Sequence, residues 1–247
     1  RGVTRLWSTK DTCVNPPAFF ENGYENRYSP DGNRLFSKTM SGLNVYDADD
    51  MSGGAQQVIP TLADITFLPE GVSNKWAVFF SGQKEISLQD LSTKRQIKYP
   101  VNELDGRRIP YAFDDTETRY FAYSPGNGVV LVKSLTDQST MSSRYFGGEI
   151  TLIRSIPGSD KLLVITQFKD INENRYTVKV WDLSKPAESP KVLRLQGYNV
   201  QHARVSEQGD RIALSNFSDI RIFSLDNLDN ETVVIKPPKN AYINDIA

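Results

Sequence analysis

Apolar and polar positions alternate along this chain in short runs, and one run recurs. The segments Gly2–Ser8 (GVTRLWS), Gly42–Asp47 (GLNVYD), Lys84–Asp90 (KEISLQD), Gly128–Ser134 (GVVLVKS), Tyr176–Asp182 (YTVKVWD) and Ser218–Ser224 (SDIRIFS) are one strand written six times. They begin at 2, 42, 84, 128, 176 and 218, so the spacings are 40, 42, 44, 48 and 42. A period of roughly 40–45 residues holding about four short strands is the signature of a β-propeller. No window of helical length sustains a 3.6-residue period, so the predicted fold class is all-β.

Between these markers the pattern divides each period into four strands. The first complete unit is predicted over Glu25–Ser29, Asn33–Thr39, Gly42–Asp47 and Gln56–Ile59. Its first hairpin turns at SPDG (Ser29–Gly32), where Pro30 presets φ and Gly32 supplies a positive φ. The second unit takes Leu62–Leu68, Lys75–Phe80, Lys84–Asp90 and Lys94–Tyr99; the third takes Ile109–Phe113, Thr118–Tyr123, Gly128–Ser134 and Arg144–Phe146. The fourth takes Glu149–Ser155, Lys161–Phe168, Tyr176–Asp182 and Lys191–Leu195, and the fifth Asn199–Val205, Arg211–Ser215, Ser218–Ser224 and Glu231–Ile235. Val178 and Val180 alternate with Lys179 and Trp181, as a half-buried strand requires.

Asp49–Gly54, Lys169–Asn174 and Lys185–Pro190 read as loops between strands and not as domain boundaries. Gly2–Ser8 matches a third strand with nothing before it, and Ala241–Ala247 a first strand with nothing after it. A blade assembled from those two pieces would leave sheet backbone unpaired. The expectation is therefore one partial propeller domain over residues 1–247, an excerpt of a larger one with five complete blades and a partial blade at each end.

Composition narrows the function. Twenty-nine Lys and Arg stand against 30 Asp and Glu, for a net charge of −1. Broad phosphate binding normally needs a basic excess, so DNA is not an expected partner and any RNA contact is local. No apolar run approaches the roughly 20 residues of a membrane span. A single cysteine, Cys13, forms no internal disulfide, which points to a reducing compartment, cytosol or nucleus, with a cytoplasmic location the expectation.

Candidate chemistry is sparse. His202, the one histidine, lies in a predicted first strand, where packing accounts for it, and one His with one Cys cannot make a Cys/His zinc site. The acidic groups Asp47–Asp50, Asp114 with Asp115 and Glu117, and Asp170–Glu173 fall in predicted turns, where Asp bonds to local backbone. SPGNG (Ser124–Gly128) has hairpin glycines without the helix and lysine of a phosphate loop. No catalytic, cofactor or metal residues are predicted. The basic candidates for RNA are Lys94, Arg95 and Lys98 on a predicted outer strand, Arg107 and Arg108 beside Tyr111, and Lys236 and Lys239 around Pro237–Pro238. Phe19 and Phe20, with Tyr24, lie in a predicted loop and are candidates for partner contact or, equally, for covering the propeller's hydrophobic top.

The unit Tyr176–Pro186 (YTVKVWDLSKP) resembles the third strand of a WD40 repeat, with Trp181–Asp182 at the name-giving dipeptide. Its equivalents are Tyr46–Asp47, Gln89–Asp90, Lys133–Ser134 and Phe223–Ser224. The family's Gly-His pair is missing from every unit, so its Asp-His-Ser-Trp hydrogen-bond network does not carry over. Asn15–Pro17, Ser29–Gly32, Ala112–Ser134 (AFDDTETRYFAYSPGNGVVLVKS) and Val233–Ile246 (VVIKPPKNAYINDI) are similar to the N-terminal propeller of eukaryotic translation initiation factor 2A. Ser215–Asp219 (SNFSD) departs from that family's Ser-Tyr-Tyr-Gly-Glu tract, which keeps the propeller of the b subunit of initiation factor 3 as an alternative. The resemblance implies a non-catalytic scaffold contacting the small ribosomal subunit, initiator tRNA, RNA or other factors. An interaction or sensor module of an unrelated multiprotein complex is the other class. A propeller hydrolase or lyase is disfavoured by apolar first-strand residues such as Ile65, Phe67, Leu152 and Ile153.

Overall fold

The computed structural model describes residues 3–6, 18–21, 25–29, 31–39, 42–49, 54–55, 57–60, 66–80, 85–101, 109–169, 174–195, 197–228, 231–238 and 243. Every regular element among them is a strand, and no helix is long and apolar enough to cross a membrane. The chain divides into two compact units, Arg1–Asp105 and Gly106–Ala247.

In the first unit, β1 (Val3–Leu6) pairs antiparallel with β2 (Ala18–Glu21). A first four-stranded sheet follows: β3 (Glu25–Tyr28), β4 (Arg34–Thr39), β5 (Gly42–Asp47) and β6 (Gln57–Pro60). The second consists of β7 (Thr66–Val72), β8 (Trp76–Phe80), β9 (Glu85–Asp90) and β10 (Gln96–Pro100). The second unit holds three more. The third sheet is β11 (Tyr111–Phe113), β12 (Tyr120–Gly126), β13 (Val129–Ser134) and β14 (Thr140–Tyr145). The fourth is β15 (Glu149–Ile156), β16 (Lys161–Lys169), β17 (Asn174–Asp182) and β18 (Lys191–Leu195). The fifth is β19 (His202–Val205), β20 (Arg211–Ser215), β21 (Ile220–Ser224) and β22 (Glu231–Ile235). All five are antiparallel meanders in chain order, so strands adjacent in sequence are adjacent in space.

Sheets pack face to face within each unit, which explains why the central strands are apolar on both sides. Leu163, Ile165, Val178 and Val180 of the fourth sheet join a core with Ala203, Ile212, Leu214 and Phe223 of the fifth. Its opposite face sends Leu162, Val164 and Trp181 into a core with Ala122, Val130 and Val132 of the third. The run Leu162–Ile165 is fully buried for that reason. In the first unit Phe36, Leu43 and Val45 meet Ala77, Phe79 and Leu91. Last strands show the opposite pattern. β10 alternates exposed and buried residues, and β14 is exposed along most of its length. This polarity hides β14 from hydrophobic pattern reading: it begins at Thr140, whereas the sequence suggests Arg144.

One turn chemistry recurs in all five sheets between the third and fourth strands. The residue at the dipeptide's second position accepts a backbone N–H two residues on: Asp47 from Asp49 (2.9 Å), Asp90 from Ser92 (2.8 Å), Ser134 from Thr136 (3.2 Å), Asp182 from Ser184 (2.9 Å) and Ser224 from Asp226 (3.3 Å). These are Asx and Ser/Thr turns, which close the hairpin with a side-chain acceptor. The Asp of the Trp-Asp pair thus builds a turn here. Trp181 Nε1, buried against Phe146 with ring centroids 5.5 Å apart, finds no hydrogen-bond partner among the described residues.

Candidate interaction surface

Two charged regions flank the fourth sheet of the second unit. At the turn between β11 and β12, burial raises the Asp114 pKa, but hydrogen bonds from Thr116, Tyr120 and Arg119 and the Arg119 charge outweigh it, and the net shift is downward. Asp114 Oδ1 accepts the N–H groups of Thr118 (3.1 Å), Arg119 (2.9 Å) and Tyr120 (3.0 Å), and Oδ2 accepts Thr116 Oγ1 (2.5 Å). Asp115 accepts the Gly158 N–H at 2.5 Å, and Arg119 pairs with Asp160, so this turn is tied to the turn between β15 and β16. The corresponding turns of the first unit make the same kind of link: Asn74 Oδ1 accepts the Asp31 N–H (3.0 Å), and Arg34 donates to the Asn74 carbonyl (3.0 Å). A third link is steric. Gly209 has φ +70°, and a Cβ there would lie 2.4 Å from the Pro157 carbonyl. These acidic turns are structural clamps.

The second region is a groove of about 520 Å³ lined by β16, β17 and β18. The register builds it. Phe168 faces Arg175, Thr177 faces Arg194, and Lys179 faces Val192, so these six side chains share one face. Further along that face Trp181 is buried; at the groove end the pattern turns cationic. Phe168 (38% exposed) and Val192 (40%) give an apolar lining open to solvent, with Tyr145 (71%) nearby. The Phe168 ring lies against Gly147 and Gly148, both at positive φ; a Cβ on Gly148 would meet the Gln167 carbonyl at 2.7 Å.

The cations of the groove are not neutralised alike. Lys169 pairs with Glu149 at 3.2 Å. Lys179 donates to the Phe146 carbonyl, and its ammonium lies 5.6 Å from the Phe146 ring and 5.7 Å from Phe168. Burial lowers the Lys179 pKa, and the charge of Arg194 lowers it further. No carboxylate is among the described residues that line the groove. Its lining mixes apolar side chains with cations, a surface suited to an anionic or mixed acidic and apolar partner.

The residues singled out from the sequence lie elsewhere. Lys94 and Arg95 fall in the turn between β9 and β10 and not on the strand, because Asp90 closes that hairpin: Lys94, at φ 61°, donates its N–H to the Asp90 carbonyl. Lys98 is on β10 and pairs with Glu85 at 2.9 Å across the strands. Phe19 and Phe20 belong to β2 and not to a loop, held in register with Arg5 and Thr4. Tyr111 is buried among Phe113 and Phe121, so it packs the core and offers no stacking face. Lys236 is exposed after β22; Arg107, Arg108, Lys239, Cys13, Tyr24, Asp50, Ile65 and Asp170–Glu173 lie outside the described residues. His202 is half-buried at the start of β19, opposite Ser215. The groove residues escape sequence reading because 175, 179 and 194 meet only once the β17–β18 register is known. The available signal was Lys179, a cation on the same strand face as Trp181.

No family model matches the chain, and no curated protein matches it in sequence. Among solved structures it is similar to the crystal structure of the β-propeller domain of Cps50 (Swd1) from Myceliophteria thermophila, with a TM-score of 0.59 and 13% identity, over 87% of this chain and 73% of that one. At that identity the likeness concerns the fold alone. Five four-stranded meanders, sheets packed face to face within each unit, and this structural likeness together give the chain a WD40-like β-propeller fold.

Proposed function

We propose that the chain is a non-catalytic scaffold that holds protein partners in a multiprotein complex, and that the complex belongs to translation initiation on the small ribosomal subunit. One observation carries the scaffold reading: Asp114 and Asp115 are spent on hydrogen bonds within and between turns, whereas the open groove of the fourth sheet combines apolar lining with cations and no carboxylate among the described residues. Such a surface recognises a partner and has no group placed for chemistry. The translation reading is supported by the sequence likeness of Ala112–Ser134 to the propeller of initiation factor 2A. That tract forms β11 to β13 and its turns. In this role the strand core fixes the geometry, and rim surfaces supply contacts with the small subunit, initiator tRNA or other factors.

The test is co-sedimentation of the full-length protein with purified small ribosomal subunits, together with initiator tRNA delivery in a reconstituted system. Recovery with the subunit, or altered delivery, is the expected result. A protein that does neither and is recovered in another assembly belongs to the unrelated scaffold class.

A further inference from the structure

We propose that the groove of the fourth sheet is the docking site for an extended, acidic segment of a partner protein, which adds to the outer edge of β18 and sets a carboxylate beside Lys179 and Arg194. The proposal rests on the scaffold reading and gives it a surface and a partner chemistry. Three features of the same site converge on this occupant. The first is charge: the Arg194 side chain makes no hydrogen bond or ion pair among the described residues, and it stands on one face with half-buried Lys179, so two cations are held together without a described counter-ion. A carboxylate arriving there would relieve their repulsion in a site partly withdrawn from water. The second is the backbone: β18 ends its sheet, and no described strand pairs with its outer edge. An extended peptide can use that edge for main-chain hydrogen bonds; a nucleic acid strand cannot. The third is the apolar lining: Val192, on β18 and on the same face as Arg194, remains open to an aliphatic side chain two residues from the acid, on the same face of the added strand. A groove of about 520 Å³ holds a few residues of such a segment. With a net charge of −1 over the chain, this is a local patch, fitted to a short motif and not to a long polyanion.

Fluorescence anisotropy of the full-length protein with three labelled probes tests this: a ten-residue peptide with Glu and Leu taking turns at every second position and Ser between them, its counterpart with Lys in place of Glu, and a ten-nucleotide uridine RNA. The acidic peptide is expected to bind, weakening as salt rises, and the other two to bind at least tenfold more weakly. Arg194→Glu is expected to weaken the acidic peptide at least tenfold, whereas Lys98→Glu, an exposed charge change on β10, changes it less than twofold. Circular dichroism of both variants confirms that each is folded. Equal binding of the Lys and Glu peptides, RNA binding that Arg194→Glu abolishes, or an acidic-peptide affinity unchanged by Arg194→Glu each overturns the proposal. Recovery of complexes from cells separates the two levels. If both the wild type and Arg194→Glu enter the same assembly, the groove is not its docking site and the scaffold reading stands. If the wild type enters none, the scaffold reading itself falls.

Discussion

The two charged regions of the second unit are opposite in sign and differ in how their charge is answered. The turn after β11 gathers Asp114, Asp115, Arg119 and Asp160; the groove gathers Lys169, Arg175, Lys179 and Arg194. In the turn, each described hydrogen bond answers a charge with a backbone N–H, a hydroxyl or a guanidinium, and buried Asp114 alone accepts three backbone N–H groups. In the groove two cations share a face, with no carboxylate among the described lining residues. Charge that builds structure is answered by its neighbours; charge left unanswered beside an apolar surface is what a partner recognises. The contrast can be broken at either end.

The largest effect is expected in the turn. Asp114→Ala leaves three backbone N–H groups without their acceptor and should cost about 3 kcal/mol, read as a lower midpoint in urea unfolding. Asp114→Asn, which keeps an acceptor oxygen, should cost less than half of that. Acid gives an independent measure. The folded pKa of Asp114 is lowered, so its contribution is present above the unfolded carboxylate pKa near 3.8 and is lost as pH falls through the lower folded value. The loss as pH falls below about 4 should shrink in Asp114→Asn. Loss of equal size in both proteins would show that the turn is not a source of acid sensitivity.

Next in size is Gly209→Ala. It places a side chain at φ +70° and drives Cβ to within 2.4 Å of the Pro157 carbonyl, so the turn before β20 must move away from the turn before β16. The expected cost is about 2 kcal/mol, from left-handed strain plus the displaced contact. Gly158→Ala, at φ +68° in open space, carries the strain alone and should cost about 1 kcal/mol. The difference between the two measures the sheet-to-sheet clamp.

Much of the fold was legible in the sequence because propeller strands carry their own punctuation. β5, β18, β20 and β22 have the bounds expected from pattern alone, since apolar alternation or turn residues mark both ends. Polar β14 was cut short, as an exposed last strand has little apolar signal. The loop assigned to Phe19 and Phe20 failed for a different reason: β2 is fixed by pairing with β1, and pairing across a gap of more than ten residues leaves no local trace. The candidate site was legible hardly at all. Clustered cations in sequence, such as Lys94, Arg95 and Lys98, scatter over a turn and a strand. The cations that do meet come from both sides of the β17–β18 turn and are separated by up to 19 positions along the chain, from Arg175 to Arg194. A binding face is a property of register, and register is set by pairing rather than by neighbours in sequence.

The smallest effects belong to the groove, where stability and binding should move in opposite directions. Arg194→Glu puts a carboxylate beside Lys179, so the free protein should be unchanged or more stable by about 0.5 kcal/mol while losing the acidic peptide. Lys179→Met tests the same point through pH. The folded pKa of Lys179 lies below its ordinary value near 10.5 because of burial and the Arg194 charge. Between those two values the unfolded chain binds the extra proton, so this lysine adds stability as pH rises toward 10.5. Buried tyrosines oppose it: burial raises Tyr123 to about 12, so ionisation favours the unfolded chain above about pH 10. The tyrosine effect is common to wild type and variant. The difference in stability between wild type and Lys179→Met, followed from pH 7 to 10, therefore isolates the lysine and should shift in favour of the wild type. Saturating acidic peptide should flatten that difference, because a bound carboxylate restores the Lys179 pKa. A slope that is the same with and without peptide would place the carboxylate elsewhere.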